Sequence, residues 1–220
     1  PRVRKDMAAY SLGTFEQALK LLHWAPGCDG DVQLWTEVAG VVREREAEIG
    51  ARASTMLAVA LPLASTVPQH DVVKDIVDTL FNGLPHLRSY ELAMFCGVVE
   101  AYGRASVAQI KELVGSFGAK VQFNTADDLR RAFPALARIA LQAGMTTSAT
   151  AADVEDVRDL MQMVLDHNEA RVAAFMDPYQ RALYCAGNPE DVARIVFAYE
   201  LFGRQVSANN AALFRAFAVY

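Results

Sequence analysis

At 220 residues, with 53% hydrophobic and 21% charged side chains, the chain can bury a substantial core, which excludes a disordered linker. A formal net charge of −5 and a pI near 5.4 exclude a protein whose main task is a general grip on phosphates, since that affinity comes from lysine and arginine. The best apolar stretch, Met56 to Leu63, is about two helical turns against the roughly 20 residues that cross a bilayer, so no membrane span is expected and the chain reads as soluble or peripheral.

Apolar residues recur at helical spacing almost throughout and sustained period-two alternation is absent, which predicts an all-α chain of about ten helices. Residues 1–13 read as an N-terminal extension in which Arg2, Arg4 and Lys5 look like the tail of a cleaved basic targeting segment. Residues 14–220 read as one helical-repeat domain, with its better-defined hairpins at 51–87, 88–123, 124–168 and 190–220. The expected breaks fall at Pro26 to Gly30, Gly50, Pro68, Leu84 to His86, Gly103 to Ser106, Gly118, Gly144 to Thr150, Asp177 with Pro178, Gly187 to Pro189, and Gly203 to Ser207. Ser89, Ser106, Thr125 and Asn188 stand where helix N-caps belong, the last followed by Pro189 and Glu190 as first-turn residues.

Shifting the sequence by 37 residues lays Leu61 on Val98, Ala64 on Ala101, Val73 on Ile110, Ile76 on Leu113, Val77 on Val114 and Leu80 on Phe117. The same step carries Glu91 and Leu92 onto Asp128 and Leu129, Val99 onto Leu136 and Tyr102 onto Ile139. At longer range, Glu91 to Arg104 lies over Asp191 to Arg204, with Ala93, Glu100, Gly103 and Arg104 recurring as Ala193, Glu200, Gly203 and Arg204. A hairpin with so thin an apolar face must stack on its neighbours, so the expected fold is an α-solenoid of stacked antiparallel hairpins, with an irregular bundle as the alternative. Gly103 and Gly203 are expected to end their helices in the left-handed conformation.

The shared motif, an acidic residue, then Leu or Val, an apolar face, a small residue and an aromatic before Gly, resembles the degenerate helical-hairpin repeats of organellar RNA-metabolism proteins. These are the repeat regions of FAST-kinase-domain and RAP-domain proteins and of hepta- and octotricopeptide arrays, with HEAT and armadillo repeats as looser relatives. Accessory proteins of RNA editing and ribosome assembly in kinetoplastid mitochondria look similar. The likeness covers residues 51–143 and 190–220. It implies a mitochondrial matrix location, with the cytoplasm as the alternative, and membership of a ribonucleoprotein assembly. No RAP domain stands in this chain, so that family's nuclease chemistry is not carried over, and the acidity departs from strongly RNA-binding members.

Candidate chemistry is sparse. Cys28, Cys96 and Cys185 read as reduced, buried thiols of a reducing compartment. His23, His70, His86 and His167 are scattered, and only His23 and Cys28 lie near each other, two ligands where a structural zinc site needs four, so no metal is expected. Gly27 and Gly30 have no strand before them and form no phosphate loop. Glu44, Glu46 and Glu48 interleave with Arg43 and Arg45 as an exposed, salt-laced helix end. Asp153, Glu155, Asp156 and Asp159 read as the acidic first turns of a helix, with an acidic docking patch as the alternative.

Arg88, Arg104, Lys111, Lys120, Arg130, Arg131, Arg138 and Arg204, at hairpin ends, are the candidate RNA contacts, although ordinary solvated surface also accounts for them. Tyr90, Tyr102 and Phe202 read as core by their spacing. The expectation is a non-catalytic scaffold that holds other proteins and uses no cofactor, with a direct RNA-binding module as the alternative. An all-α enzyme or ligand binder would need buried polar groups, for which Asp166 with His167, or Glu100 and Glu200, are the only hints.

Overall fold

A computed structural model describes residues 6–28, 30–123, 126–145 and 150–174, and the regular structure among them is helical, with no strand. The chain is all-α, built of stacked antiparallel helical hairpins, as its apolar spacing predicts. The described residues fall into two compact units, one reaching to Leu87 and taking in Ala101–Arg104, the other holding Arg88–Glu100 and continuing from Ala105.

In the first unit, α1 (Leu12–Trp24), α2 (Val32–Glu44), the single turn α3 (Glu46–Ile49), α4 (Ala53–Thr66) and α5 (Asp71–Asn82) follow one another through short connections. Their starts are capped locally. Ser11 Oγ accepts from the Thr14 N–H at 3.2 Å, Asp31 Oδ1 from Leu34 at 3.0 Å, and His70 Nδ1 from Val72 at 3.3 Å. Helix α4 is the centre of this unit and packs on α1, α2 and α5. Its sequence is apolar on nearly every side, and Leu57, Val59, Ala60, Leu63 and Ala64 are all buried. The helices packed on it bury Phe15 and Leu19 from α1, Trp35, Val38 and Val42 from α2, and Val73, Val77 and Leu80 from α5.

In the second unit, α6 (Ser89–Tyr102, its last two residues counted with the first unit), α7 (Val107–Lys120), α8 (Ala126–Met145) and α9 (Ala151–Ala174) follow. Helices α7, α8 and α9 pack on one another, and Phe117 of α7 meets Phe133 of α8 edge to face, the ring centroids 6.2 Å apart. Ser106 and Gln109 form a reciprocal capping box at the start of α7.

The 37-residue shift is visible in the elements themselves. The starts of α4 and α5 advance together by 36 residues, one short of the sequence shift, to those of α6 and α7, from Ala53 to Ser89 and from Asp71 to Val107. Both hairpins are followed by a short 3-10 turn, Leu84–His86 after the first and Val121–Phe123 after the second. Val73 and Ile110, Ile76 and Leu113, Val77 and Val114, and Leu80 and Phe117 are all buried, so the matched positions carry matched roles.

Several local expectations are corrected. Gly118, expected to break the chain, lies inside α7, because α9 crosses so close that a Cβ there would stand 2.9 Å from the Met163 methyl and 3.2 Å from Val164 Cγ2. Ser89 is the first residue of α6 rather than its cap; the buried Glu91 carboxylate instead reaches back to accept from the Arg88 N–H at 2.8 Å. The segment Arg43 to Glu48 is not one exposed helix end. Between α2 and α3, Arg45 folds inward, its guanidinium over the Phe15 ring at 5.0 Å and bonded twice to Glu48 Oε2. Helices α4 and α8 run through buried prolines, Pro62 and Pro134, each forgoing one backbone hydrogen bond. Gly103 does end its helix with φ 64°, while Gly203 lies outside the described residues.

Candidate functional site

Two of the sequence's candidate surfaces meet each other. Lys111, a candidate RNA contact on α7, points its ammonium at Asp156 (2.5 Å) and Asp153 (3.5 Å), members of the candidate acidic docking patch on α9. Each surface therefore takes charge from the other, and the group acts first as a tie between two helices. Asp153 is further engaged at the start of α9, where its carboxylate accepts from the Thr150 hydroxyl at 2.7 Å and from the Thr150 N–H at 3.2 Å. The Thr150 hydroxyl in turn accepts from the Asp153 N–H, which makes a capping box. Of the other acids, Glu155 reaches Arg158 at 4.0 Å and Asp159 is exposed.

The Thr150 hydrogen bonds, with Lys111 beyond them, hold the Asp153 carboxyl below its ordinary value of 3.8. The Asp156 carboxylate, and Asp153 behind it, raise Lys111 above 10.5. A depressed carboxyl contributes fully above its unfolded value and is lost as pH falls through the lower folded value; a raised ammonium is lost only as pH climbs through its folded value, above 10.5. The tie between α7 and α9 is therefore intact across the neutral range. Replacing Thr150 with alanine is expected to move the Asp153 titration back up toward 3.8, read from the side-chain carboxyl carbon by NMR; an unmoved midpoint would show that the capping box does not set it.

The remaining basic candidates are divided between the two units. Arg138 pairs with Glu100, joining α8 to α6. Arg88 and Arg131 are exposed in the second unit and Lys120 is half-buried at the end of α7, whereas Arg104 is exposed in the first unit. Arg204 and the side chain of Arg130 lie outside the described residues, as do Cys185, Glu200 and Phe202.

The groups considered for chemistry are dispersed. Asp166 and His167 are both exposed, and Glu100 is spent on Arg138. His70 serves as a helix cap and His86 is exposed. His23 stacks edge-on with Trp24 and Trp35, and its Nδ1 is buried without a hydrogen-bond partner. Cys96 is buried, which pushes its thiol far up and leaves no reactive thiolate; Cys28 is half-buried. Among the described residues no three His, Cys, Asp or Glu side chains gather as metal ligands, and no helix is long and apolar enough to cross a membrane.

Apolar exposure is where sequence reasoning missed most. On α1, Leu21 is 72% and Trp24 is 82% exposed, three residues apart and so neighbours on one face. The helical wheel carries the signal: Phe15 and Leu19 point into the core, and Leu21 and Trp24 fall on the far side. Val32 at the start of α2 and Phe123 after α7 are also exposed, and Tyr90, read as core from its spacing, is partly so. Tyr102 is buried as expected.

A cavity of about 670 Å³ opens in the first unit, between the end of α2, the turn α3 and one side of α5. Val42, Ile49, Met56, Val72 and Ile76 make its apolar floor, and Arg43, Glu44, Glu46 and Asp75 its rim.

The chain matches no family model, no curated protein and no solved structure. Function must therefore be argued from the surfaces themselves. They offer an apolar face on α1, a floor-and-rim groove beside α5, and an α7–α9 junction where Lys111 is already engaged by Asp153 and Asp156.

Proposed function

We propose that the chain is a non-catalytic helical-repeat adaptor that holds other proteins, within a mitochondrial ribonucleoprotein assembly of the kind its repeat motif resembles. The observation that carries this reading is the Leu21 and Trp24 face. An indole 82% open to water on a well-capped helix does nothing for the core, and tryptophan is the residue most enriched among side chains that anchor protein partners. Location in the mitochondrial matrix and a task in RNA processing, RNA editing or ribosome assembly rest on the likeness of the repeat motif.

Purification of the tagged chain from its native source, with and without ribonuclease, tests the adaptor reading. Partners that survive ribonuclease and are lost on Trp24→Ala are the expected result. Because Trp24 is exposed, that substitution should change stability by no more than about 0.5 kcal/mol. Partners held only through RNA would count against it.

A second reading, direct RNA binding, is favoured by one observation: Phe123 is 69% exposed, three residues beyond Lys120. An open phenyl is a surface on which a base can stack. Its signature is RNA affinity that falls steeply with salt and with Phe123→Ala.

A further inference from the structure

Helices α7 and α9 pack on each other more extensively than any other pair of described helices. Their contacts advance in step. Lys111 meets Asp156, Gly115 faces Leu160 and Gly118 faces Met163, each pair separated by the same 45 residues of chain. The two helices therefore run parallel, tied by charge at one end and by close packing at the other. At the packed end the Met163 methyl occupies the space that a Cβ on Gly118 would need.

The same side chain is open on its other flank. Met163 is 36% exposed, and a cleft of about 420 Å³ runs past it beside Lys111, Asp156, Asp159 and Leu160. By contrast Met7, Met56 and Met161 are buried and Met94 is half-buried, while the side chains of Met145 and Met176 lie outside the described residues. A small oxidant in water reaches the thioether beside the cleft before it reaches those in the core.

We propose that Met163 is an oxidation site that sets how closely α9 packs on α7. In the step, a lone pair of the thioether sulfur attacks one oxygen of hydrogen peroxide. An S–O bond forms, the O–O bond breaks, and the departing hydroxide takes up the proton of the transferred oxygen and leaves as water. The sulfur loses two electrons and the peroxide gains them. The resulting sulfoxide is polar, and the backbone N–H groups around Gly118 are spent within α7, so the notch holds no donor for its oxygen. Hydrating that oxygen turns the side chain toward the cleft, which withdraws the methyl and leaves Gly118 facing a void. The Lys111 tie lies about two helical turns back along α9 and is untouched, so the junction loosens at one end while it stays fastened at the other. A methionine sulfoxide reductase reverses the step. This inference goes beyond the adaptor reading and does not depend on it.

The test treats the full chain with rising amounts of hydrogen peroxide and follows each methionine by peptide mass mapping, with thermal unfolding read by circular dichroism. Among the described methionines Met163 is expected to gain its oxygen first. At that stage the unfolding midpoint should fall by about 2–4 °C and return after treatment with a methionine sulfoxide reductase and a thiol reductant. Met163→Leu keeps the apolar volume and should show no fall at the same peroxide dose. Met163→Gln, which places an amide where the thioether stood, should reproduce the fall without peroxide. The proposal is overturned if Met163 reacts no faster than Met56 and Met161, if its oxidation leaves the midpoint unmoved, or if Met163→Leu falls equally.

Discussion

Replacing Trp35 with alanine is expected to lower the unfolding free energy by about 3–5 kcal/mol, the range for removing a large aromatic side chain from a packed core. Trp35 is fully buried and is the first member of the α2 face that continues through Val38, Ala39 and Val42. It touches His23 edge to face, and its Nε1–H donates to the Cys28 carbonyl at 2.7 Å. One side chain thus fastens α2 both to α1 and to the loop between them, and alanine leaves a cavity where these three segments converge. Trp35→Phe separates the two contributions. It keeps most of the apolar bulk and removes the indole donor with part of the ring, so a loss of about 1–2 kcal/mol is expected, because the half-buried Cys28 backbone can still find water while a small void remains. Urea unfolding monitored by circular dichroism reads both variants, and a loss under about 1 kcal/mol for Trp35→Ala would show that this residue does not organise the unit.

The second large effect is expected at Gly118. Alanine there has two opposed consequences. It gains roughly 1 kcal/mol of helix propensity, and it presses on a Met163 methyl that can swing aside and on a Val164 methyl that can give only a few tenths of an ångström. The net change should be close to zero. Leucine has no such escape, since its additional carbons must enter the α7–α9 contact, and a loss of about 1–3 kcal/mol or more follows from overpacking. The contrast between the two variants is the informative result. Equal, small effects in urea unfolding would mean that α9 does not approach α7 as closely as the described distances require.

Gly118 also shows where sequence reasoning stops. A glycine between apolar helical residues reads as a break when only its neighbours in sequence are considered. Here it is the opposite, a place where the helix continues because another helix needs the space a Cβ would occupy. The basic residues repeat the lesson. Lys111 at a hairpin end has the look of a phosphate contact, yet its nearer counter-charge, Asp156, arrives from 45 residues further along the chain. Arg45, amid alternating charges, looks solvated, but Phe15 gives it an aromatic face and the side chain is only 11% exposed. Of the candidate surfaces, the acidic turn after Thr150 was legible because an aspartate three residues beyond a threonine caps a helix through local bonds. The groove beside α5 was not, since its floor and rim come from four different helices.

What the sequence by itself determined is everything whose physics is short-ranged or periodic. The helical class follows from apolar spacing, the start of α7 from Ser106 and Gln109, the left-handed end of α6 from Gly103, and the paired burial of Val73 with Ile110 and Leu80 with Phe117 from the 37-residue recurrence. Only the tertiary structure decided which charges are neutralised, which glycine is a contact rather than a break, and which apolar residues remain in water. Those outcomes depend on groups distant in sequence being brought within a few ångströms, and neither Coulomb attraction nor packing repulsion leaves a mark on the local pattern until the helices have docked.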